Sequence, residues 1–340
     1  STRSQINRLL NYPKDSAGSL MTTEFVYLHP NNTVEESFAR IRKVGLDKET
    51  VYTCYVTKSR VLLGVVTVKR LLMSTYETKI SDIMETNVLS VTTHEDKEDV
   101  AQMFSKYDLT ALPVVDGEDR LVGIITVDDA MDVMEEEATE DFEKMAAILP
   151  SDKPYLRTGV FETWKARIPW LMLLMLSATF TGLIITGFES ALAACVILTS
   201  FIPMLSGTGG NSGSQSSVAV IRALSLGEVE FSDVLAVVWK EIRVALLCGA
   251  CLGGANFVKM LLVDRWMMHN PDVTVAVAAV VCLTLMLTVV CAKIVGCLLP
   301  MAAEKVGIDP AVMAAPFITT VVDALSLLIY FTIATRILGL

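Results

Sequence analysis

Histidine is scarce in this chain: His29, His94 and His269 stand in three different segments. No histidine cluster, nucleophile–base pair or phosphate-cradling motif accompanies them, so a membrane enzyme has no chemical basis here. Positive charge is also in short supply. The formal net charge is −10, from 28 basic and 38 acidic side chains. An acidic surface repels nucleic acid, which excludes that class of partner. Cysteine occurs in an odd number, seven, with six in the apolar second half. Cys248 and Cys251 form a C-x-x-C, but in a membrane-helix pattern without the strand context of a redox motif. They read as small packing residues. No secretory signal pattern opens the chain; the short polar start reads as a truncation point.

A length of 340 residues allows two or three domains, and 52% hydrophobic content is high for a soluble protein. The halves differ sharply. Residues 1–150 hold 26 acidic and 16 basic side chains, whereas residues 151–340 hold 12 of each. The net charge therefore sits on a soluble, acidic front half that attracts cations.

The chain is organised around residues 311–335, AVMAAPFITTVVDALSLLIYFTIAT, a stretch long enough to span a bilayer. Its one ionisable residue, Asp323, stands near the middle, about 18 Å of helix from either end. A carboxylate at that depth costs roughly 2.5–3.5 kcal/mol on insertion scales. Pro316, Thr319, Thr320, Ser326 and Tyr330 share its helix face, which predicts a polar stripe turned to protein or water. Two readings stand. Asp323 is an ion-pathway residue, or it is a buried carboxyl kept neutral or paired with a lysine on another helix.

Five apolar segments follow from Ala166 onward, at about 167–187, 191–224, 234–262, 273–299 and 311–337. PMLSGTGGNSGSQSS, residues 203–217, is expected to break the second, because Pro203 and Gly207, Gly209, Gly210 and Gly213 disfavour helix. Irregular backbone at membrane depth is tolerated where it is buried in protein or lines a wet cavity. Freed carbonyls with Asn211 and Gln215 would then meet an ion or its water; the other reading is close helix packing by small residues. Arg167-Ile168-Pro169 is taken as a helix start, with Trp164 and Trp170 as interface anchors. Sorting the basic residues by side gives a cytoplasmic front half. Arg157, Lys165, Arg167, Arg222, Lys240, Arg243, Lys293 and Lys305 fall at or near that side, against Lys259, Arg265 and Arg336 at the other.

Residues 20–134 hold an internal repeat, read in each copy as a short strand, an amphipathic helix, two strands around a turn, and a helix. Met-Thr or Met-Glu-Thr opens the copies, LPVVD precedes the second turn, and Gly-x-x-Thr follows each turn. On these features the repeat resembles a CBS-domain tandem. Such pairs commonly bind adenosine nucleotides in the cleft between copies, with Gly-x-x-Thr-x-x-Asp contacting the ribose. The second copy has the pattern as Gly123, Thr126 and Asp129; the first has Gly64 and Thr67 but Arg70 in place of the aspartate. The alternative is a strand-to-helix turn capped by Thr126.

Residues 128–143 then hold nine acidic side chains and no basic one. Like charges at i,i+4 destabilise a helix, and a hard divalent cation would relieve that repulsion. The run reads equally as a solvated face and as a divalent-cation switch between the two halves.

In SAGSLMT, the CBS tandem, the acidic linker, PMLSGTGGNSGSQSS and DPAVMAAPFITTVVD, the chain resembles the MgtE family of magnesium channels over nearly its whole length. The resemblance implies an α+β cytosolic CBS-domain pair joined by an acidic linker helix to an all-α five-helix transmembrane domain. The boundaries expected are a stub of an N-terminal domain at 1–19, the tandem at 20–134, the linker or plug helix at 135–152, and the pore domain at 153–340. It further implies a homodimer in the lipid of the cell (inner) membrane, with the pore between subunits. The family's Mg²⁺-binding aspartate maps onto Asp323, and its neighbours map onto Ala315, Thr319 and Thr320. Regulatory Mg²⁺ positions map onto Asp128, Asp129, Asp132, Glu136, Glu137, Glu140 and Asp141, with ATP as a further ligand of the CBS pair. Family members usually carry a helical domain before SAGSLMT, so magnesium sites shared with it would be lost and gating weakened or altered. Physical chemistry points the same way. Two Asp323 carboxylates across a dimer axis repel, and a hydrated dication between them removes the penalty. The rival is a secondary divalent-cation transporter coupled to H⁺ or Na⁺ with Asp323 as titrating carrier.

Overall fold

The computed structural model describes residues 12–151, 153–313 and 315–339. The short helix expected around Ile6, Leu9 and Leu10 lies outside the described residues. The chain divides into two compact units, one running to Ala138 and the other Thr139–Leu340.

The first unit contains two three-stranded sheets of identical topology. In one, β1 (Tyr27–Leu28) runs parallel to β2 (Thr53–Lys58), which pairs antiparallel with β3 (Val61–Thr67). In the other, β4 (Val91–Thr92), β5 (Ala111–Val115) and β6 (Leu121–Thr126) repeat the order and directions. The amphipathic helices α1 (Val34–Val44) and α2 (Lys97–Tyr107) link the first and second strands of each sheet. Both have side-chain stops and starts of the kind helices need. Thr33 and Glu36 form a capping box on α1, Asp96 caps α2, and α2 ends on a left-handed Asp108.

Each copy buries its own core: Leu28, Val56, Val66 and Ile80 in the first, Val91, Phe104, Leu112 and Ile125 in the second. Between them Tyr55, Leu121 and Ile124 pack with Phe25 and Val65. The exchange is reciprocal: Thr22 bridges to Ile124, and Glu85 bridges to Val65. Gly123 and Gly64 are what permit it. A Cβ on Gly123 would come within 2.5 Å of Met21 Sδ, and one on Gly64 within 2.6 Å of the Glu85 carbonyl.

Helix α3 (Val127–Met145) continues straight from β6, so the acidic run is one helix with the end of the second repeat. The second unit is otherwise helical. It contains α4 (Val160–Gly187), α5 (Ile202–Ser225), α6 (Val234–Lys259), α7 (Val275–Lys305) and α8 (Ala315–Leu338). Among the described residues four helices are long and apolar enough to cross a membrane: α4, α6 with its flanking turns, α7, and α8 with the turn before it. The expected fifth span corresponds to α5, which is helical but too rich in glycine and serine to meet that measure.

Two local expectations are corrected. Residues 203–217 do not break the helix. Pro203 falls in the first turn of α5, where its missing N–H is no loss, and the glycines are held by packing. The interruption comes earlier, in the 3₁₀ stretch Val196–Phe201. Pro169 is not at a helix start either; α4 begins at Val160 and carries the proline inside it. Close packing explains the small residues of α5. A Cβ on Gly210 would come within 2.8 Å of Thr319, and one on Gly213 within 3.0 Å of the Ala292 carbonyl. The main core gathers Leu198, Phe201 and Leu205 with Val281, Leu285, Leu327 and Phe331, while α4 has no fully buried residue.

Candidate ion pathway and acidic linker

Helix α8 opens at Ala315 and presents Asp323 half-buried in its middle. The residue lies well inside the helix, so the side chain is held on a rigid element. Ser206, on α5, stands beside the Asp323 carboxylate. Among the described residues Asp323 takes part in no ion pair. The lysine alternative therefore fails for the buried cation nearest in kind: Lys293 pairs with Glu241, its Nζ 3.6 Å from the Glu241 carboxylate.

The stripe read along α8 is only partly a stripe. Thr319 Oγ1 and Thr320 Oγ1 donate to the Pro316 carbonyl at 2.9 and 3.1 Å, and Ser326 Oγ donates to the Asp323 carbonyl at 2.9 Å. These hydroxyls are satisfied by their own helix, with their oxygens still free to accept. Tyr330 leaves the stripe altogether: it is fully buried and donates to the Leu198 carbonyl at 2.9 Å. A second polar face takes its place. On α5, Pro203, Gly207, Asn211 and Gln215 recur every fourth residue and are all exposed, while Leu205, Gly209, Ser212 and Ser216 on the other side are buried. A polar helix face is costly against lipid. Asn211 and Gln215 were expected beside freed carbonyls; they sit instead on an unbroken helix. Ser206 was missed as an individual residue, although it lies in the Gly/Ser-rich motif.

The acidic positions of α3 fall into three groups. Asp128 and Asp132 are exposed, and Asp129 Oδ2 accepts from the Thr126 hydroxyl at 2.7 Å. Glu136 and Glu137 lie 3.6 and 3.2 Å from Lys97 Nζ, which also meets Asp15 at 3.4 Å. Burial works against the Lys97 charge, but Glu137 and Asp15 outweigh it and hold the ammonium above the ordinary lysine range. Within the second unit, Lys144 Nζ bridges Glu140 and Asp309, the latter at 2.6 Å. Burial opposes that charge too, and the Asp309 and Glu140 carboxylates overcome it, raising Lys144. Asp141 Oδ2 accepts from Ser225 Oγ at 3.2 Å. Burial, then the charge of Asp309, pushes the Asp141 carboxyl above the usual carboxylate range.

Among the described residues no three His, Cys, Asp or Glu side chains converge as a metal site. Lys97 and Lys144 neutralise part of this acidic surface, at Glu136, Glu137 and Glu140. Asp309 was overlooked, although it opens the DPAVMAAPFITTVVD motif. Its partner Lys144 is 165 residues away in sequence, so spacing gives no cue.

The nucleotide pattern is spent locally. Gly123 lies against Met21 and Thr22, and Thr126 and Asp129 satisfy each other at the start of α3. In the first copy Thr67 simply accepts from the Arg70 amide at 3.2 Å. The first unit does contain a cavity of about 500 Å³, lined by Tyr12, Phe25, Tyr27, His29 and Arg60 among others. Gly123, Thr126 and Asp129 do not line it.

A family profile described as a divalent cation transporter, MgtE, matches residues 202–333, and CBS-domain profiles match 17–76 and 80–136. Magnesium transporter MgtE of Thermus thermophilus is 40% identical over 99% of this chain and 73% of the relative. The protein of the same name from Bacillus subtilis is 37% identical over 97% of this chain and 71% of the relative. Among solved structures, the cytosolic domain of the Mg²⁺ channel MgtE in complex with ATP is 43% identical, with a TM-score of 0.38. That match covers 39% of this chain and 54% of the other, little more than half of it.

Proposed function

The chain belongs to the MgtE family of magnesium transporters, and from that premise we propose how its residues bind and gate the ion. It is an integral membrane protein that transports Mg²⁺. The CBS pair is its soluble, cytoplasmic part.

The proposed pathway runs between two copies of the chain, along the exposed face of α5 and past Asp323 of α8. The observation that carries this is a membrane carboxylate that takes part in no ion pair among the described residues, is only half-buried, and stands beside Ser206. Pairing two such chains would turn Gly207, Asn211 and Gln215 away from lipid and bring two Asp323 side chains together; α5 then serves as the fifth membrane helix. Two adjacent carboxylates repel, and one would otherwise protonate. A passing Mg²⁺ removes that penalty. Because Mg²⁺ gives up water reluctantly, it is held as a hydrated ion, through water, by Asp323. Thr319, Thr320 and the backbone at Ala315 serve as outer partners.

Gating is electrostatic in this account. Asp128, Asp129, Asp132, Glu136, Glu137, Glu140 and Asp141 supply oxygen donors suited to regulatory Mg²⁺. The chemistry fits, with Lys97 and Lys144 as resident competitors. Bound Mg²⁺ draws the acidic helices of the two subunits together and holds a closed state; its departure restores carboxylate repulsion and favours opening. For an adenosine nucleotide such as ATP, as in the cytosolic-domain relative, contact with Gly123, Thr126 and Asp129 would require the Thr126–Asp129 hydrogen bond to open, because these residues are engaged locally.

Asp323→Ala in proteoliposomes tests the pathway. Mg²⁺ uptake should fall to the protein-free background, with the same yield and oligomer size as the parent protein. Uptake at the parent rate would refute the pore assignment.

A further inference from the structure

The membrane unit holds a second carboxylate that the transport account does not use. Glu241 on α6, Lys293 on α7 and Ser216 on the buried side of α5 form one closed triad. Lys293 is 4% exposed and Ser216 2%. Ser216 Oγ donates to Glu241 Oε2 at 2.5 Å, Lys293 Nζ donates to Ser216 Oγ at 3.1 Å, and Lys293 Nζ lies 3.6 Å from the same carboxylate oxygen. One turn away, Gly213 and Gly296 bring the α5 and α7 backbones into contact. A charge buried this deeply is tolerated only with a partner.

We propose that Glu241 and Ser216 form a cation seat whose occupant is the chain's own Lys293 ammonium, and that this tethered cation fixes α5 against α6 and α7. The chemistry of the seat is general: a carboxylate and a hydroxyl, both oxygen donors, facing one small cation with little access to bulk water. The lysine satisfies it permanently, so the seat exchanges nothing with solvent. Truncating the lysine turns it into an open site for a small monovalent cation. Because the same helix carries Ser206, loosening it also disturbs the Asp323 site. That last consequence rests on the pore reading above; the seat itself does not.

The test is the unfolding temperature of the full-length protein in detergent, with Mg²⁺ absent. Ammonium chloride replaces N-methyl-D-glucamine chloride at constant ionic strength. The parent protein should show no response. Lys293→Ala should unfold several degrees lower without ammonium and regain part of the loss across the millimolar range. Glu241→Gln/Lys293→Met, which removes both charges at similar volume, should fold and show no ammonium response. If Lys293→Ala yields no folded protein, recovery of folded protein in the double variant supports the pairing. A Lys293→Ala protein as stable as the parent, or indifferent to ammonium, overturns the proposal, as does a double variant that fails to fold. Mg²⁺ uptake by the double variant is measured alongside. Lost uptake in a stable double variant would count against the transport consequence alone, and the seat would still stand or fall on the Lys293→Ala ammonium response.

Discussion

Two carboxylates on the membrane helices each face a serine of α5, and they end differently. Glu241 meets Ser216 and a buried lysine; Asp323 meets Ser206 and, among the described residues, no cation. Glu241 is held against Ser216 of α5 and Lys293 of α7 with its side chain 13% exposed, whereas Asp323 is half-buried beside the exposed face of α5. The difference is one of occupancy. A tethered ammonium makes the first site a structural clamp. The second keeps the same donor chemistry with no resident cation, which is what a site for a passing ion requires. A membrane charge is thus informative less by its presence than by whether the chain neutralises it itself.

The strongest way to break that comparison is to make the second site resemble the first. Ser206→Lys would set an ammonium against Asp323, and Mg²⁺ uptake should drop to background, a loss of roughly 100-fold or more, in a protein that still folds. This is the size of effect expected when about 3 kcal/mol of ion binding is cancelled. Full uptake would show that the Ser206–Asp323 contact lies off the pathway.

A smaller effect is expected at the linker. Asp309→Asn removes the carboxylate that holds Lys144 and presses on Asp141. Inhibition by cytoplasmic-side Mg²⁺ should shift several-fold in concentration while the maximal rate stays within about twofold, measured as uptake against graded internal Mg²⁺. The pH dependence has a worked sign. Asp141 is raised in the folded state, so its contribution is present at low pH and lost as pH rises through its folded value. Asp141→Asn should therefore recover stability at neutral pH and flatten the acid side of the stability profile. Lys144, also raised, contributes through neutral pH and is lost only above the ordinary lysine range. The smallest effect concerns Asp129→Ala. Losing the Thr126 hydrogen bond should cost about 1 kcal/mol of stability in the CBS pair, read by chemical denaturation.

Much of the first unit was legible in the sequence, because its signals are local. The strands, the amphipathic helices and the turn after LPVVD each concern neighbours in the chain. Asp323 was legible because one charge in an apolar run stands out. What escaped was relational. Lys293 reads as a positive-inside residue until Glu241, 52 positions earlier, is seen beside it. The glycines of α5 read as breakers because helix propensity is intrinsic, whereas their partners Thr319, Val322 and Ala292 belong to other helices. Tyr330 shares a face with Asp323 by angle, yet two helix turns carry it from open space into the core.

The account depends on Asp323 being a charged, uncompensated seat for the transported ion. Asp323→Asn keeps the shape of the side chain while removing only the charge. Mg²⁺ flux through that variant, measured beside the parent in the same vesicles, is predicted to be abolished. Parent-level flux through the uncharged side chain would contradict it.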